Sequence, residues 1–101
     1  MLAAPKEALM TRLDDAARTT FLTDHPEWTL DGESIARTFA FTDFNEAMGF
    51  VTRVAIAAEV ADHHPDIDIR WNTVSIVLST HSESALTEKD TDLATQFDGF
   101  A

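Results

Sequence analysis

Cysteine is absent from the 101 residues, which excludes disulfides and thiolate metal sites and fits a reducing compartment. Cations are scarce: seven Lys and Arg face 18 Asp and Glu, for a formal charge of −11. Such a surface repels phosphate backbones, so direct nucleic-acid binding is disfavoured, and the acidity reads as a solubility device or an adaptation to salt. No run of about 18 apolar residues is present to span a bilayer, so no membrane contact is expected. The opening MLAAPKEALMTRLDD lacks a basic stretch followed by an apolar block and does not read as a signal peptide, which makes cytoplasm the expected compartment. Low-complexity tracts, repeats and linkers are missing too, so residues 1–101 read as one domain. No glycine-rich phosphate loop, HExxH pair or Ser-His-Asp order occurs.

What is present is a folded-domain composition, 45% hydrophobic. Leu9, Leu13, Ala16, Ala17 and Phe21, behind Pro5, predict a first helix over 5–21. His25-Pro26 closes it and leaves His25 as a loop residue. Trp28 to Leu30, a turn at Asp31-Gly32 and a run over 35–41 read as a hairpin, with Ile35, Phe39 and Phe41 on one side. Asp43 and Glu46 have the spacing of a capping box. The stripe Phe44, Ala47, Met48, Val51, Val54, Ala55 and Ala58 then predicts a long helix, stopped by Pro65. Trp71 to Thr80 alternates as one long strand, with Val74, Ile76 and Leu78 on one face and Ile67 and Ile69 extending its start. A last helix begins near Leu86–Asp90 and turns Leu93, Ala94 and Phe97 inward. This order indicates an α+β sheet with helices on one face.

Two of the four histidines are adjacent, in Asp62-His63-His64-Pro65 at the end of the long helix. Glu59 lies one helical turn before His63, where a carboxylate favours a charged, oriented imidazole; the same spacing describes a solvated pair at a helix C-terminus. If both histidines are helical they point about 100° apart, too far to grip one metal, yet suited to two walls of a pocket once Pro65 turns the chain. His81 ends the long strand in Ser79-Thr80-His81, a position that suits a reacting group or plain polar surface. Glu59, His63 and His81 also form a loose metal set. Asp90, in Thr87-Glu88-Lys89-Asp90, completes a helix cap. Trp71 is either core or a flat wall for a heteroaromatic ligand. Residue types alone indicate a histidine-lined pocket suited to acid–base chemistry.

Taken together, Glu59, His63-His64-Pro65, Trp71, His81 and Asp90 resemble the signature of the pterin-4a-carbinolamine dehydratases. The resemblance extends through Phe39-Ala40-Phe41, Asp43-Phe44-Asn45, Gly49 to Ala55, Leu78 to His81 and Leu86 to Asp90, and covers roughly residues 28–97. Members of the family often have tyrosine in place of Trp71, and some animal members have tryptophan in place of Ile67. The resemblance implies a four-stranded antiparallel sheet with three helices packed on one face. It implies dimers through edge strands, paired in some members into tetramers through the central helix. The implied activity is that of a hydro-lyase: water leaves 4a-hydroxytetrahydropterin to give quinonoid dihydropterin in cofactor recycling, with no metal or organic cofactor. His63 and His81 would be the proton-transfer pair, imidazole titrating near pH ~6.5 when unperturbed. His64 would hold the ring, and Glu59 would orient or charge His63. Asp62, Ser79, Thr80 and Ser82 would bond the pterin edge, Trp71 would contact the substrate, and Asp90 would cap its helix or support the site from behind. Two alternatives follow from the same resemblance. One is a dimerisation cofactor for a homeodomain transcription factor, binding through Glu46, Gly49, Phe50 and Arg53. The other is an activity on a related, molybdopterin-linked pterin.

Overall fold

The structure, a computed structural model, describes residues 11–101. In chain order the elements are α1 (Asp15–Asp24), β1 (Thr29–Asp31), β2 (Ser34–Ala40), α2 (Phe44–Ala61), β3 (Asp66–Arg70), β4 (Thr73–Leu78), a short 3₁₀ turn (His81–Glu83) and α3 (Glu88–Asp98). The four strands form one antiparallel sheet in the order β1-β2-β4-β3. Register places Ile35 opposite Leu78 and Phe39 opposite Val74, so these residues share a face with Ile76, and all five are buried. The helices cover that face with Phe21, Ala47, Phe50, Val54, Leu93, Ala94 and Phe97. Burying each large apolar side chain is worth roughly 1.5–3 kcal/mol. This is the α+β arrangement expected from the sequence.

Two element boundaries differ from the sequence expectation. The first helix starts at Asp15, not at residue 5; Pro5 and Leu9 lie outside the described residues. Asp14 caps it by accepting the Ala17 N–H at 2.8 Å. Leu13 is held outside the helix by tertiary bonds, its N–H on Leu86 O at 2.9 Å and its C=O on Arg18 Nε at 2.8 Å. The second difference is a break in the long strand. Trp71 adopts a left-handed φ of 51°, so 66–70 folds back on 73–78 as a separate strand. A bulky residue in that conformation is an outlier costing roughly 1–2 kcal/mol. Asn72 holds the turn, its Nδ2 donating to Phe41 O at 2.8 Å.

α2 begins as expected. Asp43 accepts the Glu46 N–H at 2.9 Å, although Glu46 reaches back to the Thr42 N–H at 3.2 Å, one residue beyond the usual box partner. Its buried face is Ala47, Phe50, Val54 and Ala58. Phe50 packs its ring 4.5 Å from that of Phe39 and 5.0 Å from that of Phe41, centroid to centroid. Phe50 is therefore core and not part of an outward binding face, whereas Phe44 is exposed. His25 also has a structural role: its Nδ1 meets Asp98 Oδ2 at 2.8 Å. The other oxygen of Asp98 accepts Trp28 Nε1 at 2.8 Å and Arg37 Nη1 at 2.7 Å.

A second carboxylate ties the N-terminal segment to the rest. Glu33 follows Gly32, whose φ of 58° suits the first position of a two-residue hairpin turn. Glu33 Oε1 accepts Arg18 Nη2 at 2.7 Å and the Leu86 N–H at 3.2 Å, and Arg12 Nε lies 3.1 Å from the same carboxylate. The hydrogen bond from Arg18 is the main cause that pulls the Glu33 carboxyl from its ordinary 4.5 down to about 2. A folded-state pKa below the unfolded one gives stabilisation that is complete above pH 4.5 and is lost as pH falls toward 2. Melting curves across that window should show the wild type losing Tm more steeply than Glu33→Gln. Parallel curves would remove Glu33 from the acid response.

Candidate active site

The site lies where α2 and β4 end side by side. Asp62 caps α2 with a left-handed backbone (φ 50°, ψ 44°), its N–H directed to Ala58 O and Glu59 O. The next N–H, of His63, also returns to Ala58 O at 3.0 Å. This closure ends the helix and takes both histidines off the helical path.

His63 turns inward, its side chain 10% exposed, and Nε2 donates to Asp90 Oδ1 at 2.5 Å; Asp90 is fully buried. Asp90 Oδ2 accepts the Thr87 N–H at 2.9 Å and the Thr80 hydroxyl at 2.8 Å. With the Thr80 proton committed, the Thr87 hydroxyl donates to Thr80 Oγ1 across 2.7 Å. Asp90 thus completes the α3 capping box and also supports a site histidine. Because Nε2–H of His63 is committed to the carboxylate, Nδ1 is the ring atom left to exchange a proton.

Glu59 pairs with His64, not with His63: His64 Nε2 lies 2.8 Å from Glu59 Oε1. The left-handed Asp62 is the reason, since the one-turn spacing holds only while the chain remains helical. Both partners are exposed, so the pair orients the ring at a worth of roughly 0–1 kcal/mol. His81 opens the 3₁₀ turn after β4. Thr80 and Ala85 bridge the ends of that loop, N–H to O at 2.9 and 3.3 Å. The His81 ring is exposed and makes no hydrogen bond to the described residues.

A cavity of about 230 Å³ is lined by Asp62, His63, His64, Ser79, Thr80, His81, Ser82 and Lys89. Seven of these were singled out in the sequence; Lys89 was not. Its signal was faint, a lysine in a chain that has one other, Lys6. Glu59 and Asp90 stand behind His64 and His63. Trp71 lies elsewhere: 66% exposed in the β3–β4 turn, it is separated from Ser79 by the length of β4, roughly 26 Å of extended chain. The strand break at Trp71 thus keeps it out of the residues that line this cavity. Among the described residues no three His, Asp or Glu side chains converge as metal ligands, so Glu59, His63 and His81 are not assembled as a set. Also among the described residues, no helix is long and apolar enough to cross a membrane.

A small antiparallel sheet with helices on one face, and three imidazoles around one cavity at the ends of its central helix and an inner strand, define an α+β protein with a histidine-lined cavity. The family model for pterin 4 alpha carbinolamine dehydratase matches residues 11–100, and the chain belongs to that family. It is 53% identical over 89 residues to a protein of Nocardia farcinica provisionally named pterin-4-alpha-carbinolamine dehydratase, covering 88% of this chain and 94% of that one. A Roseiflexus protein of the same provisional name is 50% identical over 90 residues, covering 89% and 97%. A crystal structure from Brucella melitensis, described as a transcriptional coactivator/pterin dehydratase, superposes with a TM-score of 0.86 at 36% identity, covering 90% of this chain and 99% of that one.

Proposed function

We propose that this chain is a hydro-lyase that removes water from a 4a-hydroxytetrahydropterin, yielding the quinonoid dihydropterin for recycling by a reductase. The observation that carries the reading is the convergence of His63, His64 and His81 on one cavity, in a member of this family. The reaction breaks the C4a–O bond, delivers a proton to the departing hydroxyl and takes a proton from N5 as the C4a=N5 bond forms. His81, unbonded and open to solvent, supplies the proton. Nδ1 of His63 accepts one, with Asp90 fixing the ring and facing the positive charge that develops on it. The two transfers cancel, and exchange with water resets both rings. Neither step calls for a metal or an organic cofactor.

His64, steadied by Glu59, flanks the ring. Asp62 and Ser82 offer free polar groups to the pterin edge. Ser79 offers the lone pairs of a hydroxyl whose proton goes to Glu33 O at 2.9 Å. Thr80 has a different role, because its hydroxyl and backbone are already bonded to Asp90, Thr87, Glu83 and Ala85. It forms a wall and a link to Asp90.

A homo-oligomer, dimer or tetramer, in the cytoplasm accompanies this reading. Every residue of the edge strand β3 is exposed, Ile67 and Ile69 included, and an open apolar edge calls for a partner strand. A second reading, a protein-binding cofactor, draws on the outer face of α2, where Ile56 is 61% and Val60 83% exposed. A related, molybdopterin-linked pterin remains the alternative substrate for the same cavity. Stopped-flow ultraviolet detection of freshly generated 4a-hydroxytetrahydropterin tests the dehydratase: water loss should run well above the rate in buffer. A protein no faster than buffer would return the question to the α2 face.

A further inference from the structure

We infer that Lys89 makes this cavity selective for a pterin whose six-position side chain carries an anionic group, a carboxylate or a phosphate. The inference rests on the dehydratase reading for the presence of a pterin ring in the cavity.

Lys89 and Asp62 line the same cavity, yet no ion pair joins them, and neither side chain bonds another described residue. Among the described residues Lys89 is the one lysine or arginine whose side chain bonds nothing. Arg12 and Arg18 bond Glu33, Arg37 bonds Asp98, Arg70 bonds Asp68, and Arg53 donates to Phe100 O. With 18 acidic residues available, an ammonium left without any hydrogen-bonding partner stands out. Helix stability does not account for it either. Lys89 is the second residue of α3, between Glu88 and Asp90, and a cation there opposes the helix dipole that its acidic neighbours satisfy.

Opposite charges held apart in one small cavity suit a ligand with complementary ends. A pterin has its N3–H and 2-amino donors at one end of the bicycle, matched to Asp62, and its side chain at the other. The cavity volume of about 230 Å³ falls below the roughly 300–1,000 Å³ usual for drug-sized ligands. It therefore takes the ring and leaves the side chain to extend beyond it toward half-buried Lys89 in the cavity wall.

Two stable fluorescent probes share one ring and differ in charge: pterin-6-carboxylate and 6-hydroxymethylpterin. At low salt the wild type should bind the carboxylate roughly 3- to 10-fold more tightly, and the ratio should shrink at about 0.5 M salt. Lys89→Gln should bring the ratio near one, and Lys89→Arg should keep it. Equal affinities in the wild type, or a preference that survives in Lys89→Gln, overturns the inference. Stopped-flow dehydration on the same preparation separates the two failures. Dehydration without a charge preference overturns this inference alone; neither dehydration nor pterin binding overturns the proposed function with it.

Discussion

Alanine in place of His81 is expected to slow dehydration of 4a-hydroxytetrahydropterin by roughly 100- to 10,000-fold, the range that one positioned acid or base contributes. The variant should stay folded, because an exposed ring without hydrogen bonds contributes within about 0.5 kcal/mol to stability. Lost rate and unchanged melting temperature would together identify a proton donor. A rate within twofold of wild type would remove His81 from the chemistry. His63 needs a gentler change, since His63→Ala leaves the Asp90 carboxylate buried without one of its donors. His63→Gln supplies a replacement N–H to Asp90 while abolishing the proton acceptor, and its rate should fall over the same range.

Asp90 carries the second large effect, and two substitutions separate its two roles. Asp90→Ala strands the Thr87 N–H, the Thr80 hydroxyl and His63 Nε2 together. Removing a buried charged acceptor of this kind costs roughly 3–5 kcal/mol. For a domain of this size that lowers Tm by more than about 12 °C. Asp90→Asn retains the shape. Its oxygen is claimed by Thr87 and Thr80, so its amide NH₂ faces His63 and drives the ring proton to Nδ1, the wrong tautomer for a base. Thermal melting should show a small loss, whereas kcat should fall at least about 100-fold with KM nearly unchanged. A variant that loses stability and activity in proportion would make Asp90 a cap and nothing more.

The parts of this molecule readable from sequence are those set by short-range periodicity. Alternation through Val74, Ile76 and Leu78 gave the inner face of β4, and Asp43 and Pro65 bracketed α2 closely. The start of α1 was not readable, because Leu13 is extracted by Leu86 and Arg18, bonds that no local pattern encodes. The break after β3 depended on a left-handed tryptophan, which propensity argues against. Around the cavity, seven of the eight lining residues had been singled out from the sequence, and the hydrogen-bond partnerships had not. Helical spacing joined Glu59 to His63, and a single left-handed residue reassigned it to His64. The partner of His63 is 27 positions away in sequence and arrives only when α3 docks. Lys89 carried no motif; an unpaired charge is visible only once the other pairs are known.

One backbone angle has an evolutionary consequence. Asp62 closes α2 in a conformation that glycine adopts freely and an L-residue adopts at a cost of roughly 1 kcal/mol. Asp62→Gly would relax that strain and remove a carboxylate from the cavity wall in the same step. Selection for heat resistance alone would favour the glycine, and selection for turnover would oppose it. Position 62 is thus where lineages under the two pressures should diverge, and where a stabilising screen blind to activity would strip the proposed pterin-binding carboxylate from the cavity wall.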